Sequence, residues 1–209
     1  MRLILIRHGE TDWNSSLRYQ GHGAVPLNER GRMQARKAAE RLTRYNATAL
    51  YTSDIVRASE TAAIIGAAVK LQPQPMKDLR EIDVGQWEGL TPEELYRRFP
   101  EHMQEYERDP ARTVRIGGES YAQLQQRALK ALNDIHAAHQ GDETVLAVSH
   151  GGTIRALLCH VIDLDLRNFG RMWLDNGSFT ELRYGSNGWR LMRLNDAAHV
   201  EGMDFARGE

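Results

Sequence analysis

Residues 3–6 are apolar at every position, as are residues 145–148, and both runs stop abruptly: the first at Arg7-His8-Gly9, the second at Ser149-His150-Gly151-Gly152. A strand with one wet face alternates apolar and polar side chains, so a short run without alternation has to be covered on both faces. This requirement constrains the fold more than any other feature, because only a sheet carrying helices on both sides satisfies it. The helices are there in outline. After a third strand at residues 47–51, Ile55, Ala58, Ala62, Ile65 and Val69 recur at helical spacing. Met33, Ala35, Ala38, Ala39 and Leu42 do the same after a turn cluster at residues 28–31. Tyr121, Leu124, Ala128, Leu132 and Ile135 form a further stripe that Gly141 ends, and residues 153–161 follow the last buried strand as a helix.

Strands alternating with helices predict parallel pairing. Residues 179–184 and 189–194 flank Gly185-Ser186-Asn187-Gly188, a hairpin whose strands would close one edge antiparallel. Residues 90–120 break the alternation. A capped, proline-started helix opens at Thr91-Pro92-Glu93-Glu94, and Pro100, Asp109-Pro110 and Gly117-Gly118 then interrupt the chain. Such a broken, charged segment between regular elements predicts a lid. The expected architecture is α/β: a three-layer α/β/α sandwich with a mostly parallel central sheet, an antiparallel C-terminal edge and a helical lid insertion. With 209 residues and no repeat or linker, residues 1–209 are expected to form a single domain, with 90–120 as the insertion.

A net charge of -1 argues against a surface built for nucleic acid. No apolar run reaches membrane-spanning length, and the first strand begins directly after Met1, without a signal-peptide layout. The lone Cys159 excludes an internal disulfide and fits a reducing compartment, so a cytoplasmic location is expected. No His, Cys, Asp and Glu cluster has metal-ligand spacing, and neither metal nor cofactor is expected. A homodimer through the terminal hairpin is one expectation; the charged Arg183, Arg190 and Arg193 on that hairpin speak for an unpaired edge instead.

In an open parallel sheet, ligands bind beyond the carboxyl ends of the strands. His8 and His150 both stand there, each followed by glycine, which lets backbone amides approach an anion. If the two strands are neighbours, the imidazoles face one crevice. Arg7, and Arg57 in Ser53-Asp54-Ile55-Val56-Arg57, supply planar donors suited to phosphate oxygens. A neutral imidazole can attack phosphorus if its second nitrogen is held as a donor. A leaving alkoxide then needs a proton; Glu81, in Leu79-Arg80-Glu81-Ile82-Asp83, is the best candidate and Asp83 its competitor.

At these residues the chain resembles the histidine phosphatase superfamily, in its phosphoglycerate-mutase-like branch, over essentially its whole length. Arg7-His8-Gly9 matches the defining motif, and Arg57, Glu81 and Ser149-His150-Gly151 follow in the family order. The resemblance implies that His8 forms a phosphohistidine, that Arg7, Arg57 and His150 complete the phosphate pocket, and that Glu81 is the proton donor. It further implies substrate-side roles for Asn14, Gln20 and Gly21, with a backbone amide from Gly151. The substrate would be a small phosphorylated metabolite. Residues 81–89, Glu-Ile-Asp-Val-Gly-Gln-Trp-Glu-Gly, resemble phosphatase relatives of the phosphoserine, α-ribazole and broad-specificity types rather than cofactor-dependent mutases, which carry a longer insertion. Residues 18–21, 117–120 and the tail with His199 lean towards the phosphoserine type, while Val84 stands where that type would carry a histidine. Arg112 and Arg115, in the expected lid, either bind a substrate carboxylate or merely solvate the loop. The mutase reaction is the alternative, and a non-catalytic phosphate-binding module the further one. His22, His102, His136, His139 and His160 are expected to be surface or packing residues, as are Cys159 and Trp87 in the core.

Overall fold

β1 (Arg2–Arg7) lies in the middle of a six-stranded sheet, as its two-sided apolarity requires. The structure is a computed structural model that describes residues 1–139 and 141–202. Along the chain β1 is followed by α1 (Asp12–Ser15), α2 (Glu29–Leu42), β2 (Ala49–Thr52), α3 (Val56–Val69) and β3 (Pro73–Pro75). Then come α4 (Pro92–Arg98), α5 (Pro100–Arg108), α6 (Tyr121–Ala138), β4 (Thr144–Ser149), α7 (Gly151–Val161), β5 (Phe179–Gly185) and β6 (Gly188–Asp196). The strand order is β3-β2-β4-β1-β5-β6. The first four strands pair parallel, and β5 and β6 add an antiparallel edge.

The apolar residues of β1 divide by parity. Leu3 and Leu5 pack with α6, α7 and Trp87 on one face, while Ile4 and Ile6 pack with α2 and α3 on the other. Val145 and Ala147 of β4 follow the first pair, Leu146 and Val148 the second. A period-two strand between two helical layers therefore has no solvent face, the reason its sequence shows no alternation. The arrangement is the expected α/β/α sandwich. Its consequence for function is that β1 and β4 are adjacent and in register at Arg7 and Ser149, so His8 and His150 leave the sheet side by side.

Five local readings need correction. The residues read as a turn at 28–31 start α2: Asn28 caps the helix by accepting the Gly31 amide, and cap and turn chemistry look alike in sequence. On α2, Met33 is exposed and the polar Gln34 is buried instead, because its Oε1 accepts the Glu10 amide at 2.8 Å. β3 escaped notice because it begins and ends on proline, which suits only an edge position. Pro100 does not simply break the chain; it occupies the first turn of α5, where its missing N–H costs nothing. α7 begins at Gly151, two residues earlier than the apolar pattern indicates.

Candidate active site

The loop after β1 is pinned against the first turn of α2. A Cβ on Gly9 would lie 2.3 Å from the Gly31 carbonyl oxygen, and one on Gly31 would lie 2.0 Å from that of Glu10. The Gly9 amide donates to Thr61 Oγ1 at 3.1 Å. His8 is thereby held with its Nδ1 2.7 Å from its neighbour's carbonyl, Gly9 O. A carbonyl only accepts, so the proton sits on Nδ1 and the lone pair on Nε2. Arg57, in the first turn of α3, donates from Nε to that Nε2 at 3.2 Å. Its other nitrogens donate to the carbonyls of Gly21 at 2.8 Å and Gly23 at 3.1 Å, so the 20–23 loop clasps the guanidinium. Gly21 is needed there: its φ is +49°, and a Cβ would meet Val84 Cγ2 at 2.5 Å.

His150 stands at the entry to α7, its ring centroid 5.1 Å from that of His8. Ser53 Oγ accepts the Ile55 amide and lies 2.8 Å from His150 Nε2. Donation of the hydroxyl proton to Nε2 leaves Nδ1 as an N–H, and that atom has no partner among the described residues. Arg7 anchors one nitrogen on the Leu174 carbonyl at 2.5 Å while its buried Nε is equally unpartnered. Buried donors left without acceptors are costly unless a ligand completes them. Here they surround one imidazole, at the N-terminus of an eleven-residue helix, a place that favours an anion.

Charge fixes the state of the two rings. Burial first, then the guanidinium of Arg57, hold His8 and His150 well below the ordinary histidine value, and Arg7 adds to the effect on His8. Both are neutral at physiological pH. Burial also pushes Arg7 and Arg57 down to about 10, which leaves them cationic at neutral pH.

Glu81 approaches from the loop after β3. Its Oε2 accepts the Gly152 amide at 3.0 Å and its Oε1 the Ile82 amide at 2.9 Å. The loop itself is tied down on both sides. Arg127 donates to the carbonyls of Glu81 and Arg80 at 2.7 Å, Thr153 Oγ1 donates to Arg80 O, and Ser149 Oγ donates to Leu79 O. Asp83, the competitor for the acid role, points elsewhere and accepts the Gly85 amide.

A cavity of about 180 Å³ opens over His8. Arg7, Asn14, Gln20, Gly21, Arg57, Glu81 and Gly151 all line it, so seven of the eight residues singled out for binding face one space together with His8. His150 is fully buried and stands behind His8 rather than on the wall. Of the two arginines in the segment expected to be a lid, Arg115 lines the cavity, whereas Arg112 borders a separate depression with Asp109, Asp165 and Arg167. His199 does not reach the site. It stacks on Phe179 at 4.3 Å and contacts the Gly177 carbonyl, because the tail follows β6. His22 is more than a surface residue: its Nε2 lies 2.8 Å from the Glu81 carbonyl, which it can reach only because the 20–23 loop folds over residue 81. Trp87 and Cys159 are buried, and burial pushes the Cys159 thiol up to about 11, consistent with a packing role.

Sequence reasoning passed over Ser53, Asn176 and Arg155. Ser53 follows β2 directly and was recognisable as a strand-end residue. Arg155 is one turn beyond Gly151 on the same helix face, and its spacing was a usable signal. Asn176, which donates to the His8 carbonyl at 3.0 Å, comes from a loop with no local pattern. Among the described residues no group of three His, Cys, Asp or Glu side chains is arranged to hold a metal ion.

An arginine-lined cavity over one strand-end histidine, with a second behind it, defines a class, and comparison with known proteins agrees. The profile of the histidine phosphatase superfamily (branch 1) matches residues 3–197. The chain belongs to the histidine phosphatase superfamily, as Arg7-His8-Gly9 and its partner motifs indicated. Phosphoserine phosphatase 1 of Hydrogenobacter thermophilus is 32% identical over 200 residues, spanning 96% of this chain and 94% of that protein. Glucosyl-3-phosphoglycerate phosphatase of Mycobacterium tuberculosis is 32% identical over 215 residues, spanning 95% and 96%. Among solved structures, Bacillus stearothermophilus YhfR superposes with a TM-score of 0.90 at 34% identity, covering 96% of this chain and 99% of its own. The first two of these relatives are named as phosphatases.

Proposed function

We propose that this chain is a metal-independent phosphomonoesterase that hydrolyses a small phosphorylated metabolite through a phosphohistidine on His8. The observation that carries the reading is the pairing of Nδ1 with Gly9 O, which leaves Nε2 as a neutral nucleophile beside unpartnered donors on Arg7 and His150. His8 Nε2 attacks phosphorus and the bond to the ester oxygen breaks, with Glu81 delivering a proton to the departing alkoxide. Arg57, which holds Nε2 in the free protein, transfers its donor to a phosphoryl oxygen; Arg7 and His150 Nδ1 bind the others, and the Gly151 amide adds to them. Asn14, Gln20 and Gly21, which line the same cavity, position the ester. Water then attacks the phosphohistidine, Glu81 takes its proton, and phosphate leaves with His8 neutral again. Residues 1–209 act as one domain, with 90–120 as a lid over the cavity, in the cytoplasm.

The test is turnover of p-nitrophenyl phosphate with a chelator present. Wild type is expected to release phosphate, and His8→Ala to lose at least about 10³-fold in kcat together with any acid-labile phosphoenzyme. Retained activity in His8→Ala removes His8 from its role, and chelator-sensitive activity removes metal independence. Isomerisation of 3-phosphoglycerate in the presence of 2,3-bisphosphoglycerate, faster than phosphate release, would replace the phosphatase by a mutase.

A further inference from the structure

Glu81 is held through its backbone as well as its carboxylate. The two carboxylate oxygens accept the Ile82 and Gly152 amides, and the carbonyl accepts twice, from Arg127 Nη2 at 2.7 Å and from His22 Nε2 at 2.8 Å. Arg127 belongs to α6 and is itself fixed by both carboxylate oxygens of Glu119, each at 2.8 Å. His22 belongs to the loop that grips the phosphate-side arginine: it stands between Gly21 and Gly23, whose carbonyls accept from the Arg57 guanidinium. Among the described residues, the His22 bond is the only hydrogen bond between residues 20–23 and residues 80–84.

A carbonyl only accepts, so Nε2 carries the proton, and the neutral ring and the imidazolium make this bond alike. On the other side of the ring, Nδ1 faces Asp83 Oδ2 at 3.9 Å, while Asp83 Oδ1 accepts the Gly85 amide and so fixes that carboxylate. The imidazole is thus set between Asp83 and the Glu81 carbonyl. Gln20 and Gly21 of the same loop line the cavity over His8, but His22 does not. Its route to the reaction is through Glu81, whose carboxyl extends from the backbone that His22 holds. Small displacements of a group that transfers a proton are costly in rate.

We infer that His22 is a positioning residue: its bond to the Glu81 carbonyl aligns the Glu81 carboxyl with the leaving-group oxygen of an ester whose phosphoryl group lies on Arg57. One loop then sets the phosphate-side arginine and the proton donor together. This rests on the phosphatase reading of the His8 site and adds to it a residue outside the motifs that carry the family resemblance. In the first step the bond from phosphorus to the ester oxygen breaks as His8 Nε2 bonds to phosphorus, and Glu81 gives its proton to the departing oxygen. The more basic that oxygen, the more the step depends on the proton.

The experiment follows from that dependence. Phosphate release is measured with p-nitrophenyl, phenyl and benzyl phosphate, three compounds of similar shape whose leaving groups rise in basicity. The quantity compared is kcat/KM, which reports on the path from free enzyme to the transition state. In His22→Leu the loss is expected to grow along the series, from about twofold with p-nitrophenyl phosphate to about tenfold with benzyl phosphate, the range of one hydrogen bond. His22→Asn is polar but one methylene too short for the carbonyl, and is expected to behave like His22→Leu. His22→Gln can place an amide N–H where Nε2 stands, and is expected to restore the wild-type series to within about threefold. Inhibition by inorganic phosphate should stay within about twofold of wild type in all three variants, since Arg57 keeps the Gly21 and Gly23 carbonyls. Melting temperatures are recorded alongside, but a general loosening of the fold lowers all three rates together and does not tilt the series. Equal losses on the three compounds, no loss on benzyl phosphate, or a His22→Gln variant as impaired as His22→Leu overturns the assignment. Weaker phosphate inhibition in step with the rate loss also overturns it, by placing the effect on Arg57. A wild type that cleaves p-nitrophenyl phosphate but neither of the others overturns the proton transfer that His22 aligns. Absence of turnover with all three refutes the phosphatase reading itself.

Discussion

Acidification should unfold this protein through its own active site. His8 and His150 are neutral in the folded state because burial and the adjacent guanidinium groups keep protons off them. Once the chain unfolds, each is free to protonate with a value of about 6.5. The sign follows from linkage. Below that value the unfolded state binds more protons than the folded state, so stability rises with pH and falls as acid is added. Between pH 7.5 and pH 5.5 the protonation of one freed histidine favours the unfolded state about tenfold more, worth about 1.4 kcal/mol. Two such residues cost about 2.7 kcal/mol while the folded-state values remain below 5.5. In a domain of this size that corresponds to a fall in melting temperature of about 5–10 °C.

The assay is calorimetry or urea unfolding of the wild type and of the double variant His8→Gln/His150→Gln at both pH values. His199 is also held below its ordinary value by burial and adds to the raw slope, so the difference between the two proteins is the quantity that matters. Carboxylates held low by partners, such as Asp54 beside Arg80 and Asp196 beside Arg41, lose their contribution only at more acid pH, below the free carboxylate range. Equal slopes in the two proteins would refute the reasoning, because the neutral imidazoles would then contribute nothing. Saturating inorganic phosphate should flatten the wild-type slope, since an anion beside Arg7 and Arg57 offsets the charge that keeps protons off the rings.

Gly152→Ala would place a Cβ 2.4 Å from Glu81 Oε1; the carboxylate must move, and kcat is expected to fall about 10–100-fold while melting temperature changes by only a few degrees. An unchanged kcat would separate the position of Glu81 from the reaction. Gly31→Ala meets backbone instead, the Glu10 carbonyl at 2.0 Å, and is expected to destabilise by about 3 kcal/mol in urea unfolding, with misplacement of the His8 loop lowering activity as well.

The sequence displayed its chemistry more openly than its selectivity, and the reason is geometric. β1, β4 and α3 were legible because a strand between two helical layers must be apolar throughout and a covered helix must repeat every three to four residues. β3 was not, since two prolines on an edge strand imitate a loop, and α2 began inside an apparent turn because Asn28 serves either purpose. Arg7, His8, Arg57 and His150 sit at element ends, where residue and position are read together, and Glu81 follows in a fixed order. Other residues that line the cavity share no such locality. Val84, Arg115 and Arg155 come from three segments that no period connects, and the sequence offered Arg112 and Arg115 as equals. Only the path of the chain between α5 and α6 separates them, turning Arg115 into the aromatic cage and leaving Arg112 on another face. The motif residues and the rest of the cavity wall are thus encoded at different ranges: the first in motifs a few residues long, the second in how distant segments meet over the cavity. Substitutions at position 84, 115 or 155 are therefore expected to reshape the cavity wall while leaving every recognisable motif intact.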